Sequence, residues 1–246
     1  MLAEVSAHLA AALILLTAAL MLAAPLGYRL RLWSALTALT RVVALGLIAG
    51  ALAALLALVS LGAGGWRTGP GTAIMLLAIL FIGAAAVALP LRVRKLAEKM
   101  PFNDVSTDTA DAPSFEALLA LRRTELPGAT GAYDRARLAA LQQRAYPDLA
   151  PLRLDAAPAD AFVRARDAAE AMGWTVVAED AALGRIEAYD RTSWFGFVDD
   201  IVIRLSADGA GTRVDLRSAS RVGISDLGVN AKRVRAYLAA LAGRAR

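Results

Sequence analysis

Three stretches of the chain, residues 7–26, 42–63 and 71–91, contain no Asp, Glu, Lys or Arg. A hydrocarbon layer about 30 Å thick is crossed by ~20 apolar residues in a helix, and each stretch reaches that length. In lipid every backbone N–H and C=O has to bond within the segment, so uncharged runs of this size are expected to be three transmembrane helices. The first is read as retained. No Lys or Arg precedes it, the run is too long for a leader, and Pro25 follows Ala23 and Ala24 where cleavage would fall. The expected location is a cell membrane, the inner one in a bacterium, with the lipid bilayer as first partner.

Charge separates the two halves. Residues 1–100 hold 8 Lys and Arg against 2 Asp and Glu, whereas residues 101–246 hold 19 against 20. The excess therefore flanks the apolar helices and does not coat the second half, which argues against a nucleic-acid partner. Arg29, Arg31, Arg41, Arg92, Arg94, Lys95 and Lys99 lie on one side of the expected spans, and Arg67 and the amino terminus on the other. That asymmetry favours a cytoplasmic C-terminal domain.

The spans carry only Thr17, Ser60 and Thr72 as polar groups near their ends or in helix-compatible places, so an anchor is expected rather than a conduit. Gly46 and Gly50 form a GxxxG pair. Chance in a Gly- and Ala-rich span explains it slightly better than a close helix contact does. The glycines around Trp66 and Pro70 lack the Lys-Ser/Thr ending of a phosphate loop and are read as a turn with Trp66 at the interface.

There is no cysteine, and His8 is the single histidine. Disulfides, thiolate metal sites, a lipidated N-terminal cysteine and a Ser-His-Asp triad are all unavailable. No metal site and no cofactor is expected.

Residues 100–246 read as an α+β domain. Residues 101–158 are proline-rich and mostly irregular, with short helical pieces at 114–123 and 135–144. Pro158 suits the first turn of a helix that ends near Gly173, with Phe162, Ala165, Ala169 and Met172 as its buried stripe. Four strands follow, near 174–179, 185–189 (reaching toward Phe197), 201–205 and 212–218, with a hairpin at Asp208-Gly209. A last helix starts near Asp226. Ala231, Val234, Leu238 and Leu241 form its apolar face and Lys232, Arg233 and Arg235 its wet face.

Alternation puts Ile186, Ala188, Ile201, Ile203, Leu205, Val214 and Leu216 on one sheet face, under the two helices. Arg185, Glu187, Tyr189, Arg204, Arg213, Asp215 and Arg217 take the other. The expected order is α-β-β-β-β-α, an antiparallel four-stranded sheet packed on two helices.

Several strings resemble the bacterial and plastid family called domain of unknown function 1499. They are residues 102–108 (Phe-Asn-Asp-Val-Ser-Thr-Asp), 145–148 (Ala-Tyr-Pro-Asp), 184–188 (Gly-Arg-Ile-Glu-Ala), 199–204 (Asp-Asp-Ile-Val-Ile-Arg) and, most distinctively, 215–231 (Asp-Leu-Arg-Ser-Ala-Ser-Arg-Val-Gly-Ile-Ser-Asp-Leu-Gly-Val-Asn-Ala). The resemblance covers about residues 100–242, and residues 24–29 resemble the membrane region of three-helix members. It implies a family and no reaction. Some relatives look like secreted lipoproteins, which implies an extracytoplasmic domain, against the charge asymmetry.

Four groups of residues invite a functional reading. Asp199 and Asp200 could hold a cation or share a proton, or simply start a strand and meet an arginine. Arg217, Ser218, Ser220, Arg221, Asp226 and Asn230 surround a helix start, where an anion could bind. Asp226 would then compete as a cap, and the alternative is a buried salt-bridge and capping network. Trp194, Phe195 and Phe197 are read as core or sheet-edge packing before a membrane-facing edge. Asp104, Ser106 and Thr107, within residues 103–108, are expected to close over the polar sheet face and line a cleft with Arg185, Glu187, Arg204 and Arg217. The leading expectation is a membrane-anchored binding or interaction module for an anionic small molecule, a lipid headgroup or a partner protein. The alternatives are a carboxylate-based, hydrolase-like enzyme using Asp199, Asp200 and Asp104, and a structural assembly factor.

Overall fold

The computed structural model describes residues 1–243, which divide into a helical unit, Met1–Leu96 together with Trp194–Gly196, and an α+β unit, Ala97–Ser193 and Phe197 onward. In the first unit α1 is Leu2–Arg29. A short α2 (Ala35–Thr37), a π-helical stretch (Ala38–Val43) and α3 (Ala44–Gly62) run on as one helix. A 3-10 turn at Gly65–Thr68 leads into α4 (Pro70–Lys99). These three long helices are apolar enough to cross a membrane.

Small residues form their seams. Ala7, Ala10, Ala53 and Ala57 pack with Leu76 and Ile79. The GxxxG pair is a contact surface, contrary to the chance explanation. A Cβ on Gly46 would come within 2.6 Å of Met21, and one on Gly50 within 3.2 Å of Ala86. Gly83 on α4 lies against the Gly50 carbonyl, where a Cβ would collide. Ser60 donates across the seam to the Ala3 carbonyl at 2.7 Å. α4 also continues past the expected exit at residue 91, through Pro90, to Lys99.

The second unit contains β1 (Asp104–Ser106), α5 (Leu119–Glu125), α6 (Arg135–Ala145), β2 (Leu152–Leu154), α7 (Pro158–Ala171), β3 (Thr175–Asp180), β4 (Arg185–Arg191), β5 (Val198–Asp208), β6 (Gly211–Ser220) and α8 (Val229–Gly243). The expected meander β3–β6 is present and antiparallel throughout. The sheet is six-stranded rather than four-stranded, because β1 and β2 both pair with β6 along its outer edge. Each has three residues, too few for a pattern to show in sequence.

Alternation assigns the faces as expected. Ile186, Ala188, Ile201, Ile203, Leu205, Val214 and Leu216 form one core with Phe162 and Ala165 of α7 and Val234 and Tyr237 of α8. Trp174 stacks on Tyr237 with ring centroids 5.0 Å apart, and the Tyr237 hydroxyl donates to the Ala165 carbonyl. Arg233 departs from the reading. It is buried on the inner face of α8, one turn from Asn230 and Tyr237, and Lys232 and Arg235 stay exposed. Trp194 is exposed, so of the three aromatics near β5 only Phe195 and Phe197 are partly buried.

The polar face is covered, and the cover is not residues 103–108, which enter the sheet as β1. It is the segment from about residue 109 to 133, including α5. This cover brings little apolar surface: Phe115 and Leu118 pack on Val202 and Ala219.

Candidate functional site

Polar side chains hold that cover down. Arg217, fully buried, donates Nε–H and Nη2–H to the two Asp104 oxygens at 2.9 and 2.8 Å. Its remaining N–H groups go to the carbonyls of Pro113, Gly131 and Ala132 at 3.0, 2.7 and 3.0 Å. All five guanidinium donors are thus in use, and the Phe115 ring lies 4.5 Å from the guanidinium carbon. Gly131 sits at φ +77°, and a Cβ there would strike the Phe115 carbonyl, so only glycine fits.

Glu187 accepts from the backbone N–H groups of Glu116, Ala117 and Leu118 at 2.9–3.2 Å and from Arg185 at 2.8 Å. Arg185 also donates to the Ser114 carbonyl. Arg204 bridges Asp111 and Asp215, and Arg213 bridges Asp108 and Asp215. Burial works against the Asp108 carboxylate. The N–H groups of Asp111 and Ala110 and the Arg213 and Arg204 guanidiniums outweigh it and hold its pKa below the ordinary range.

Asp199 and Asp200 do not form a pair. Neighbours on a strand point to opposite faces. Asp199 meets Arg233 of α8 at 2.6 Å. Asp200, on the cover face, lies between Arg221 at 2.7 Å and Arg122 of α5 at 3.0 Å. Burial opposes the charge on Arg221, but its bonds to Asp200 prevail and its pKa is raised further. Shared-proton or shared-cation chemistry at these two carboxylates has no geometric basis. Among the described residues no group of three His, Asp or Glu is placed to hold a metal.

The helix-start anion site is closed by the chain itself. Asp226 accepts from the N–H groups of Gly228 and Asn230 at 2.9 and 2.6 Å. Asn230 accepts from Ser218 and Arg233 and donates to Ser220 and the Asn103 carbonyl. The capping and salt-bridge alternative describes this region.

At the outer end of β1, Gln142 of α6 takes the place of a further strand. Its amide accepts from the Ser106 N–H at 2.9 Å and donates to the Ser106 carbonyl at 2.6 Å. Thr107 Oγ1 accepts from the Leu216 N–H. The Ser106 hydroxyl is the one buried side-chain polar atom without a partner among the described residues.

A polar cleft of about 350 Å³ opens beside the end of β6, between residues 126–137 and the loop after Ser220. It gathers Asp104, Arg217, Ser220 and Arg221 from the residues singled out in sequence, with Asn103, Arg122, Asp134 and Arg137. Arg185, Glu187, Arg204, Asp199, Asp200, Ser106, Thr107, Ser218, Asp226 and Asn230 are not part of its lining. Arg122 and Arg233 escaped sequence reading because each sits in a helix whose turn carries other cations, and only the packing decides which one turns inward.

Three apolar helices followed by an antiparallel sheet, with helices on one face and an arginine-clamped cover on the other, define a membrane-competent α+β protein. The family model described as protein of unknown function (DUF1499) matches residues 104–241, more than half of the chain, and the chain belongs to that family. No curated protein matches it.

Proposed function

We propose that this protein is a membrane-anchored binding module whose ligand is a small anionic molecule held in the cleft beside β6. The observation that carries the reading is the cleft lining, with four guanidinium groups, on Arg122, Arg137, Arg217 and Arg221, against two carboxylates, on Asp104 and Asp134. Arg122 and Arg221 are balanced by Asp200 and Glu125, and Arg217 by Asp104, so these three form a fixed, internally neutralised wall. Arg137 is the adaptable member: it is largely exposed and pairs only across one turn with Asp134 at 3.1 Å. An arriving anion would be met by Arg137 with Asn103 and Ser220 as hydrogen-bonding neighbours. The cation excess flanking the apolar helices supports a cytoplasmic C-terminal domain. A fused reporter active only outside the cytoplasm would contradict that side.

The test is thermal unfolding of the detergent-solubilised full chain with phosphate, citrate, a nucleotide or glycerol phosphate added. A ligand binding only the native state adds about 2.7 kcal/mol of stability at a hundredfold excess over Kd and raises the midpoint accordingly. The expected result is protection by at least one anion that Arg137→Ala weakens without lowering the unliganded midpoint. Absence of protection by any of them, or full protection in Arg137→Ala, removes the reading.

A further inference from the structure

We infer that one end of the helical unit is a binding surface for anionic phospholipid headgroups. The inference rests on the three long helices lying in a bilayer. The packing of Ala7 and Ala10 with Ala53, Ala57, Leu76 and Ile79 sets the start of α1 beside the end of α3 and the start of α4. The end of α1, the start of the helix at Ala35 and the end of α4 therefore share the opposite end. That end carries Arg31, Arg41, Arg92 and Lys95, all exposed, and α4 runs on to Lys99, also exposed.

α4 has 30 residues, so at ~1.5 Å per residue it is about 45 Å long, roughly 15 Å more than a hydrocarbon core. The surplus lies in the headgroup layer. There Arg92, Lys95 and Lys99 follow at intervals of three and four and form one stripe. Arg31 stands between Leu30 and Leu32, which are 60% and 68% exposed, the mixture of cation and apolar side chain that suits a membrane interface.

What these cations lack internally is the second observation. In the α+β unit Arg122, Arg185, Arg204, Arg213, Arg217, Arg221 and Arg233 each have a carboxylate within 3.2 Å. Arg31, Arg41, Arg92, Lys95 and Lys99 have no ion pair among the described residues. The buried arginines of the α+β unit, Arg122, Arg217, Arg221 and Arg233, have internal counter-ions, whereas the exposed cations at this end of the helical unit are open to a counter-ion from outside. Long cationic stems at a helix end reach the phosphates of the headgroup layer, and anionic lipids are favoured there.

The test is reconstitution of the full chain into nanodiscs of mixed phosphatidylcholine and phosphatidylglycerol, then gentle extraction and mass spectrometry of the lipids retained. Nanodiscs offer both faces alike, so an altered insertion direction does not confound the result. The expected outcome is enrichment of phosphatidylglycerol over the input ratio, roughly fivefold for each engaged cation at low salt. The triple variant Arg92→Gln, Lys95→Gln, Lys99→Gln is expected to return most of the way to the input ratio, and added salt to lower the wild-type value. Retention at the input ratio by the wild type, or unchanged enrichment in the triple variant, overturns the inference while leaving the helices in lipid. Failure of the full chain to enter nanodiscs overturns the membrane reading itself.

Discussion

Replacing Arg217 by Met tests whether the arginines of the sheet clamp the fold or wait for a ligand. The substitution keeps most of the side-chain volume and removes five donors. Asp104, itself mostly buried, is left as an uncompensated carboxylate, and the carbonyls of Pro113, Gly131 and Ala132 lose their partner. Removing one member of a buried ion pair costs about 3–5 kcal/mol. The Gly131 and Ala132 carbonyls add little beyond this, because both residues line the cleft, which is open to water. For a domain of this size about 3 °C is lost per kcal/mol, so the midpoint should fall by about 10–15 °C. Near-ultraviolet circular dichroism is a suitable assay, since the buried Trp174–Tyr237 stack gives an α+β signal that disappears on unfolding. Adding Asp104→Asn to Arg217→Met should restore a substantial part of the loss, because the stranded charge goes with it. The reasoning is refuted if Arg217→Met moves the midpoint by no more than an ordinary surface substitution, about 0.5 kcal/mol.

Three other outcomes follow from the same structure. Gln142→Ala should destabilise by roughly 2 kcal/mol, because the N–H and C=O of Ser106 lose their partners, whereas Ser106→Ala should be neutral or stabilising, because the hydroxyl it removes has none; equal losses in urea titrations of the two variants would contradict this. Asp108 titrates below its ordinary range in the folded protein, so its stabilisation is complete above about pH 4 and disappears as the pH falls through the lowered value. Asp108→Asn should therefore be less stable than wild type at neutral pH and converge with it in acid, and a pH-independent difference would show that another group is responsible. Gly83→Leu should separate α4 from α3, since no side chain fits against the Gly50 carbonyl, and the variant should lose thermal stability in detergent by ~2 kcal/mol or more; an unchanged midpoint would show that the helices do not pack there.

The uncharged runs and the two periodicities were readable directly. Three apolar helices need only the absence of charge over enough residues, and the alternation in β4, β5 and β6 names the core face without reference to any partner. Asp208-Gly209 and Pro158 likewise act locally, Gly209 at φ +61° in the hairpin and Pro158 at the first turn of α7. These features depend on residues within a few positions of one another, so a single sequence contains them.

The fate of the charged residues is a different kind of fact. Whether Arg217 faces an anion or Asp104 depends on a segment 113 residues earlier joining the sheet edge. Whether Asp199 and Asp200 cooperate depends on which layer covers each face, and whether β1 exists depends on β6 and Gln142 offering it two edges. Backbone period and solvent preference are properties the sequence carries alone. The partner of a buried charge is set only when folding brings distant segments together, because the cost of leaving it unpaired is felt only after water has gone.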